Sequence, residues 1–162
     1  MLKGTIEKAI NGQINAELYS AYLYLSMSAY FESNNLPGFA QWMSVQANEE
    51  QEHAMKFFKY VLERGGKITL ASIDAPPKEW KSPLDAFESV YKHELKVTGL
   101  IHKLVDLARS EKDVATENFL MWYVDEQVEE EAHSDAILQK LKLIKDSPNG
   151  LYMLDRELAA RE

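Results

Sequence analysis

The sequence predicts an all-α chain: four long helices in one bundle, a single long crossover between the second and third, and a short fifth helix at the far end. Three observations predict it. Along four long stretches apolar residues recur in alternating steps of three and four, the spacing that gathers them on one helix face. Two connections between those stretches are only a few residues long, so the next helix returns antiparallel. The remaining one, Lys67 to Ser82, carries Pro76-Pro77 and little periodicity, and extended chain of that length reaches from one end of a bundle to the other.

The whole of 1–162 reads as one domain, with helices at about 5–33, 39–64, 83–110, 114–144 and 148–159. The first helix has the seam Ile10, Ile14, Glu17, Ala21, Tyr24, Ser28, Phe31 and is broken by Asn34-Asn35-Leu36-Pro37-Gly38. The second has Phe39, Met43, Gln46, Glu50, His53, Phe57 and Tyr60, and ends at Gly65-Gly66, residues suited to a left-handed C-terminal turn. The crossover lets the third helix start at the end where the second started. That third helix opens with Ser82-Pro83, a capping serine and a proline at the first helical position. Its seam is Phe87, Tyr91, Glu94, Thr98, Ile101, Val105, Ala108, and after a short break at Ser110 to Asp113 the fourth follows with Leu120, Tyr123, Gln127, Glu130, Ser134, Ile137, Leu141, Ile144. Ser147-Pro148 caps the fifth helix, whose stripe of Leu151, Leu154 and Leu158 must be buried, because so short a helix does not persist alone in water.

Each seam is interrupted in one layer only. There the four helices supply Glu17, Glu50 with His53, Glu94, and Gln127 with Glu130. Helical Glu is common, and a single Glu on a seam is more often a solvated residue. Four of them, one per helix and in one layer, are not so explained. An ionised carboxylate in a dry core is costly unless it is paired or binds a metal, and four together repel. Two divalent cations would balance them. Oxygen ligands with one imidazole suit iron better than structural zinc, and manganese stays open. Zero cysteines exclude thiolate zinc and rubredoxin-type iron. The net charge of −8 argues against nucleic acid and leaves cations as partners. No apolar run spans a bilayer or makes a secretory signal between Met1 and Ile10, so no membrane partner and a cytoplasmic location are expected.

These residues carry a resemblance. Glu17, Glu50-Gln51-Glu52-His53, Glu94 and Trp122-Tyr123-Val124-Asp125-Glu126-Gln127-Val128-Glu129-Glu130-Glu131 match the pattern of bacterial and archaeal non-haem ferritins, over the whole chain. The resemblance implies the ferritin-like bundle and a ferroxidase that oxidises Fe(II) with O2 or H2O2 and stores ferric mineral. It implies one iron on Glu17, Glu50 and His53, a second on Glu50, Glu94 and Glu130 with Gln127 close by, and a third near Glu49, Glu126, Glu129 and Glu130. It makes Tyr24 an electron donor beside the iron pair; without it Tyr24 reads as a core tyrosine needing a hydrogen-bond partner. Off the seam, Glu49, Glu126 and Glu129 read equally well as a solvated acidic face. It further implies a homo-oligomeric shell of about 24 subunits, with the fifth helix buried against its own copies at four-fold axes rather than on its own bundle.

Neighbouring readings are distinguishable. A bacterioferritin carries a haem-ligating Met where this chain has Gln51, so no haem is expected. A rubrerythrin-like peroxidase would bring Cys ligands, a DNA-protecting mini-ferritin lacks the fifth helix, and a non-catalytic helical assembly would consume no oxygen on adding Fe(II). Glu130-Glu131-Ala132-His133 repeats the Glu-x-x-His spacing, yet His133 falls at the edge of the seam and is not expected to be a ligand; Trp122 reads as packing, and His93 and His102 as surface histidines.

Overall fold

A computed structural model describes residues 1–162. Five helices follow in order: α1 (Gly4–Ser33), α2 (Pro37–Glu63), α3 (Pro83–Ser110), α4 (Val114–Ile144) and α5 (Pro148–Leu158). α2 begins two residues before the sequence placed it. Pro37 sits in its first turn, where a missing N–H costs nothing.

The helix ends follow from local chemistry. α1, α2 and α3 all stop in the same way, with a left-handed residue just past the cap: Asn35 at φ 59°, Gly65 at φ 71° and Lys112 at φ 55°. At α2 the Gly66 N–H donates to Val61 O and the Gly65 N–H to Leu62 O, both at 2.9 Å, which satisfies carbonyls that the helix end orphans. Ser82, Asp113 and Ser147 cap α3, α4 and α5 by accepting the N–H of the third residue on, each at 3.1 Å. α2 has no cap of its own from Leu36. Its cap comes from α5: Asp155 Oδ1 accepts the N–H groups of Gly38 at 2.8 Å and Phe39 at 3.0 Å.

Neighbouring helices run antiparallel. α1 meets α3 through Tyr24 with Glu94 towards the middle and Lys3 with Glu111 at one end. α2 meets α4 through Gln46 with Glu130, His53 with Tyr123 and Tyr60 with Thr116. α2 and α3 are therefore diagonal and parallel. The crossover lies along α1 in irregular conformation. Asn11 and Asn15 donate to the carbonyls of Lys67 and Ser72, Ser26 to that of Pro77 at 2.6 Å, and Trp80 packs edge-on to Tyr30. Helix side chains thus supply partners to a backbone that has no ladder of its own.

The core is in two parts. One apolar cluster gathers Met27, Phe31, Phe39, Trp42, Met43, Phe87, Ile137 and Leu141; the other gathers Ile6, Ile10, Ile14, Phe57, Ile101, Val105, Leu120 and Tyr123. The interrupting layer lies between them. The seams are buried as read, save that Ala21, Ser28, Tyr91, Thr98 and Ile144 are only half-buried. α1 hides more than its seam, including Gln13, Ser20, Leu23 and Met27, because it packs on both α2 and α3. The fifth helix corrects the expectation drawn from resemblance: Leu154 and Leu158 are buried in the first cluster of their own bundle, with Leu151 packed beside them. Its exposed face is Tyr152 and Met153.

Candidate metal centre

Six side chains from four helices meet in the layer between the two apolar clusters. Glu17, Glu50, His53, Glu94, Gln127 and Glu130 are all buried, none more than 6% exposed. Glu50 and His53 stand three positions apart on one helix turn, and their side chains lie together, His53 Nδ1 at 3.4 Å from Glu50 Oε2. Ligand atoms of Glu17, Glu50 and His53 all fall within 4.8 Å of one another. A second such group is His53, Glu126 and Glu130.

The other predicted site residues are placed as follows. Glu94 shares the layer, but its carboxylate is held by Tyr24 Oη, which donates to Oε1, and by Gln127 Nε2, which donates to Oε2 at 3.2 Å. Gln127 also reaches Thr98 Oγ1 at 3.2 Å, and Thr98 donates to Glu131 at 2.6 Å. Tyr24 is fully buried, with Glu94 as its partner. Glu126 is half-buried, its Oε1 at 3.8 Å from His53 Nε2. Glu49 is half-buried and ion-paired with Arg161, while Glu129 is exposed and belongs to neither ligand group.

Two glutamines that sequence reasoning did not assign to the site complete it. Gln46, read only as a seam residue, donates through one nitrogen to Glu50 Oε1 at 3.1 Å and Glu130 Oε2 at 2.8 Å, joining α2 to α4. Gln13 donates to Glu17 Oε1 at 2.8 Å. The only available signal for Gln13 was its position four residues ahead of Glu17.

The electrostatics are those of a site short of positive charge. Burial, then the neighbouring carboxylates, push Glu17 and Glu50 well above the usual range, and burial also raises Glu94. Glu130 is pushed up to about 7 by burial and by Glu94. Tyr24 is raised by burial and Glu94, so its phenol keeps its proton. Glu17 Oε2 is buried with no N–H or O–H donor. A proton shared with Glu50, or a cation, would satisfy it. The four carboxyls and the imidazole offer hard oxygen and borderline nitrogen, a donor set that fits divalent iron.

The histidines outside the layer divide. His102 and His133 are exposed. His93 was expected at the surface and is half-buried instead: its Nε2 lies 2.8 Å from buried Ser20 Oγ, and its ring packs between Tyr19 and Tyr24 at 6.0 Å from each. Burial lowers its pKa to about 4. Trp122 is edge-on to His53 at 5.3 Å, with Lys56 Nζ 3.2 Å above its ring.

Comparisons with known proteins agree with this fold. The family model described as "Ferritin: Ferritin-like domain" matches residues 7–144. A bacterial non-heme ferritin of Bacteroides fragilis is 45% identical over 161 residues, covering 99% of this chain and all of the relative. One of Campylobacter jejuni is 43% identical over 156 residues, 96% of this chain and 93% of the relative. Among solved structures, an open-pore ferritin from the hyperthermophilic archaeon Archaeoglobus fulgidus superposes with a TM-score of 0.99 at 55% identity, covering both chains completely. An engineered closed form of that ferritin gives the same score and identity over 100% of this chain and 99% of that one. With five helices in the ferritin arrangement and full-length relatives in bacteria and archaea, the chain belongs to the ferritin-like family.

Proposed function

We propose that the chain is an iron-storage ferritin with ferroxidase activity, taking up Fe(II) as substrate in the buried layer and holding the ferric product inside a homo-oligomeric shell. The observation that carries this reading is the set of four buried carboxyls and one imidazole between two apolar clusters, with Glu17 Oε2 lacking any donor. Glu17, Glu50 and His53 hold one Fe(II). Glu50, Glu94 and Glu130 hold the second, with Gln127 steadying Glu94. Entry of two dications displaces the protons that burial forces onto these acids, so uptake releases protons.

Two Fe(II) ions give up two electrons. These reduce O2 to H2O2, or H2O2 to water, with two protons consumed in each case. Where a third Fe(II) gives one more electron, Tyr24, whose phenol donates to Glu94, would give the fourth, its proton passing to that carboxylate, so that O2 with four electrons and four protons goes to two waters. Gln46 and Gln13 hold Glu50, Glu130 and Glu17 in position as their charge changes. Glu126 beside His53, with Glu49 and Glu129, takes a third cation and hands it on. Gln51 is exposed and offers no thioether, in keeping with a non-haem protein. No helix is long and apolar enough to cross a membrane; the proposed setting is cytoplasmic, and the proposed shell has about 24 subunits.

The test is an anaerobic Fe(II) titration followed by admission of O2, with particle size followed by light scattering. Two or three Fe(II) per chain, rapid oxygen uptake and a ferric core inside a large particle are expected. Absence of oxygen uptake above the protein-free rate would overturn the ferroxidase reading.

A further inference from the structure

We propose that the cavity enclosed by the crossover, α1 and α3 binds a small neutral hydroquinone, which returns an electron to Tyr24 through the ring of His93; this rests on the role of Tyr24 proposed above. The cavity measures about 640 Å³, within the range of small-molecule sites. Tyr19, His93 and the Pro76-Pro77 pair give it flat walls, and Asn15, Asp74 and Lys96 bring polar groups to it. Once Tyr24 has given the fourth electron it is left as a neutral radical, and the next cycle needs it back as a phenol. Tyr24 is fully buried, so a solute does not reach it directly. His93 spans the gap. It lines the cavity, and its ring packs edge-on to Tyr24 with centroids 6.0 Å apart. Ser20 Oγ, 2.8 Å from Nε2, fixes that ring from the other helix. A ligand against His93 is therefore one ring away from the oxidised phenol.

The lining selects the class of ligand. Asp74 and Lys96 bring opposite charges to one cavity, so an anion or a cation meets a like charge there and gives up its hydration, whereas a neutral molecule does not. The rings and prolines suit a flat apolar body. Hydroxyl hydrogens find acceptors in the Asp74 carboxylate and in the oxygen of the Asn15 amide, whose nitrogen is taken by Ser72 O at 3.1 Å. A benzene ring with two hydroxyls meets both demands, and it gives up an electron more readily than the single phenol of Tyr24. In the transfer the hydroquinone loses one electron to Tyr24 and one proton to water at the cavity mouth, leaving a neutral semiquinone. Tyr24 takes back the proton it had passed to Glu94. Two semiquinones then disproportionate to one quinone and one hydroquinone.

The experiment uses the full chain as parent, as Ala16→Phe and Ala75→Trp, which fill the cavity from its helix side and its crossover side, and as Ala75→Ser, which leaves it open. Ala75 is exposed on the crossover, so its replacement does not burden the core. Resorcinol, the isomer of hydroquinone that is harder to oxidise, is titrated calorimetrically into the metal-free proteins. The parent and Ala75→Ser should bind it alike, and the filled variants at least about tenfold more weakly. Each protein is then loaded with Fe(II), pulsed with O2 and freeze-quenched with and without hydroquinone, and the tyrosyl radical is followed by EPR. Its yield without hydroquinone should be the same in all four. Hydroquinone should hasten its decay saturably in the parent, and at least about tenfold less in the filled variants. Resorcinol that fails to bind the parent, or binds both filled variants as well as the parent, overturns the site. A radical decay that ignores hydroquinone, or that quickens equally in the filled variants, overturns the electron route and leaves Fe(II) as the donor. Absence of a tyrosyl radical in every protein would instead strike at the role of Tyr24 proposed above and remove the electron route with it, and resorcinol would still decide whether the cavity is a site.

Discussion

Glu130 shows at the scale of one residue how function and stability oppose each other. Its carboxyl is buried, accepts one hydrogen bond from Gln46, and is raised to about 7 chiefly by burial. Glu130→Gln keeps the shape and the acceptor but removes the charge. The metal-free variant should be more stable than the parent at pH 7.5, by about 1–3 kcal/mol in urea unfolding. It should also lose the second Fe(II) and slow oxidation by at least about tenfold. A variant that is both less stable and fully active would refute the assignment. His53→Ala tests the other side of the proposed pair: the first Fe(II) should weaken, while Glu50→Gln, which removes the carboxylate proposed to serve both irons, should disturb both. Initial oxidation rates by stopped flow separate the two. This layer was legible in the sequence because each acid broke an apolar stripe of known period. Gln13, Ser20 and His93 were not legible in the same way. Each lies one step off its seam and is covered by a neighbouring helix or the crossover, which the periodicity of a single helix does not register.

Among the elements, α5 carries most that the sequence left open. Its leucine stripe had to be buried, but whether in its own bundle or against copies was a question of tertiary geometry. The close approach of α5 to Gly38 answers it. A Cβ at Gly38 would sit 1.7 Å from the Asp155 carbonyl oxygen, which is backbone and has no room to yield. Gly38→Ala is therefore expected to push α5 away, removing the only cap of α2 and exposing Leu154 and Leu158. Asp155→Ala removes the cap alone, at a cost of about 1 kcal/mol. Gly38→Ala should cost clearly more and should raise proteolysis after Ile144; equal unfolding midpoints for the two variants would show that α5 tolerates displacement. The helix ends, by contrast, could be read directly from residue chemistry, as Gly65 and the Ser-Pro pairs show. Asn35 and Lys112 complete the same left-handed endings without glycine.

For the whole molecule, the buried layer sets how stability depends on pH. Glu17, Glu50, Glu94 and Glu130 have folded-state pKa values raised above the ordinary 4.5. Groups of this sign contribute stability that is complete below about 4.5 and is lost as pH climbs through the folded value, about 7 for Glu130. For Glu130 alone the swing is on the order of 3 kcal/mol. The metal-free protein should therefore melt several degrees lower at pH 7.5 than at pH 5.5. Saturating Zn(II) should reverse the slope, because it binds the deprotonated carboxyls and so binds more tightly as pH rises. Calorimetry at four pH values with and without Zn(II) checks both signs; a metal-free melting temperature that rises over this interval would contradict the electrostatic account.

The crossover strapped along α1 has a consequence for how the chain could be divided. Its fastenings lie on both sides of Asp74: Lys67, Thr69 and Ser72 before it, Pro77 and Trp80 after. Each half is then a hairpin, α1 with α2 and α3 with α4. The carboxylates are shared out two to each, Glu17 and Glu50 on one, Glu94 and Glu130 on the other. Neither hairpin alone can surround a pair of ions, so the ions would act as a clasp. Expressed as separate pieces, 1–74 and 75–162 should complement one another. Co-elution of the fragments should strengthen markedly when Zn(II) is present, and chelation should part them again.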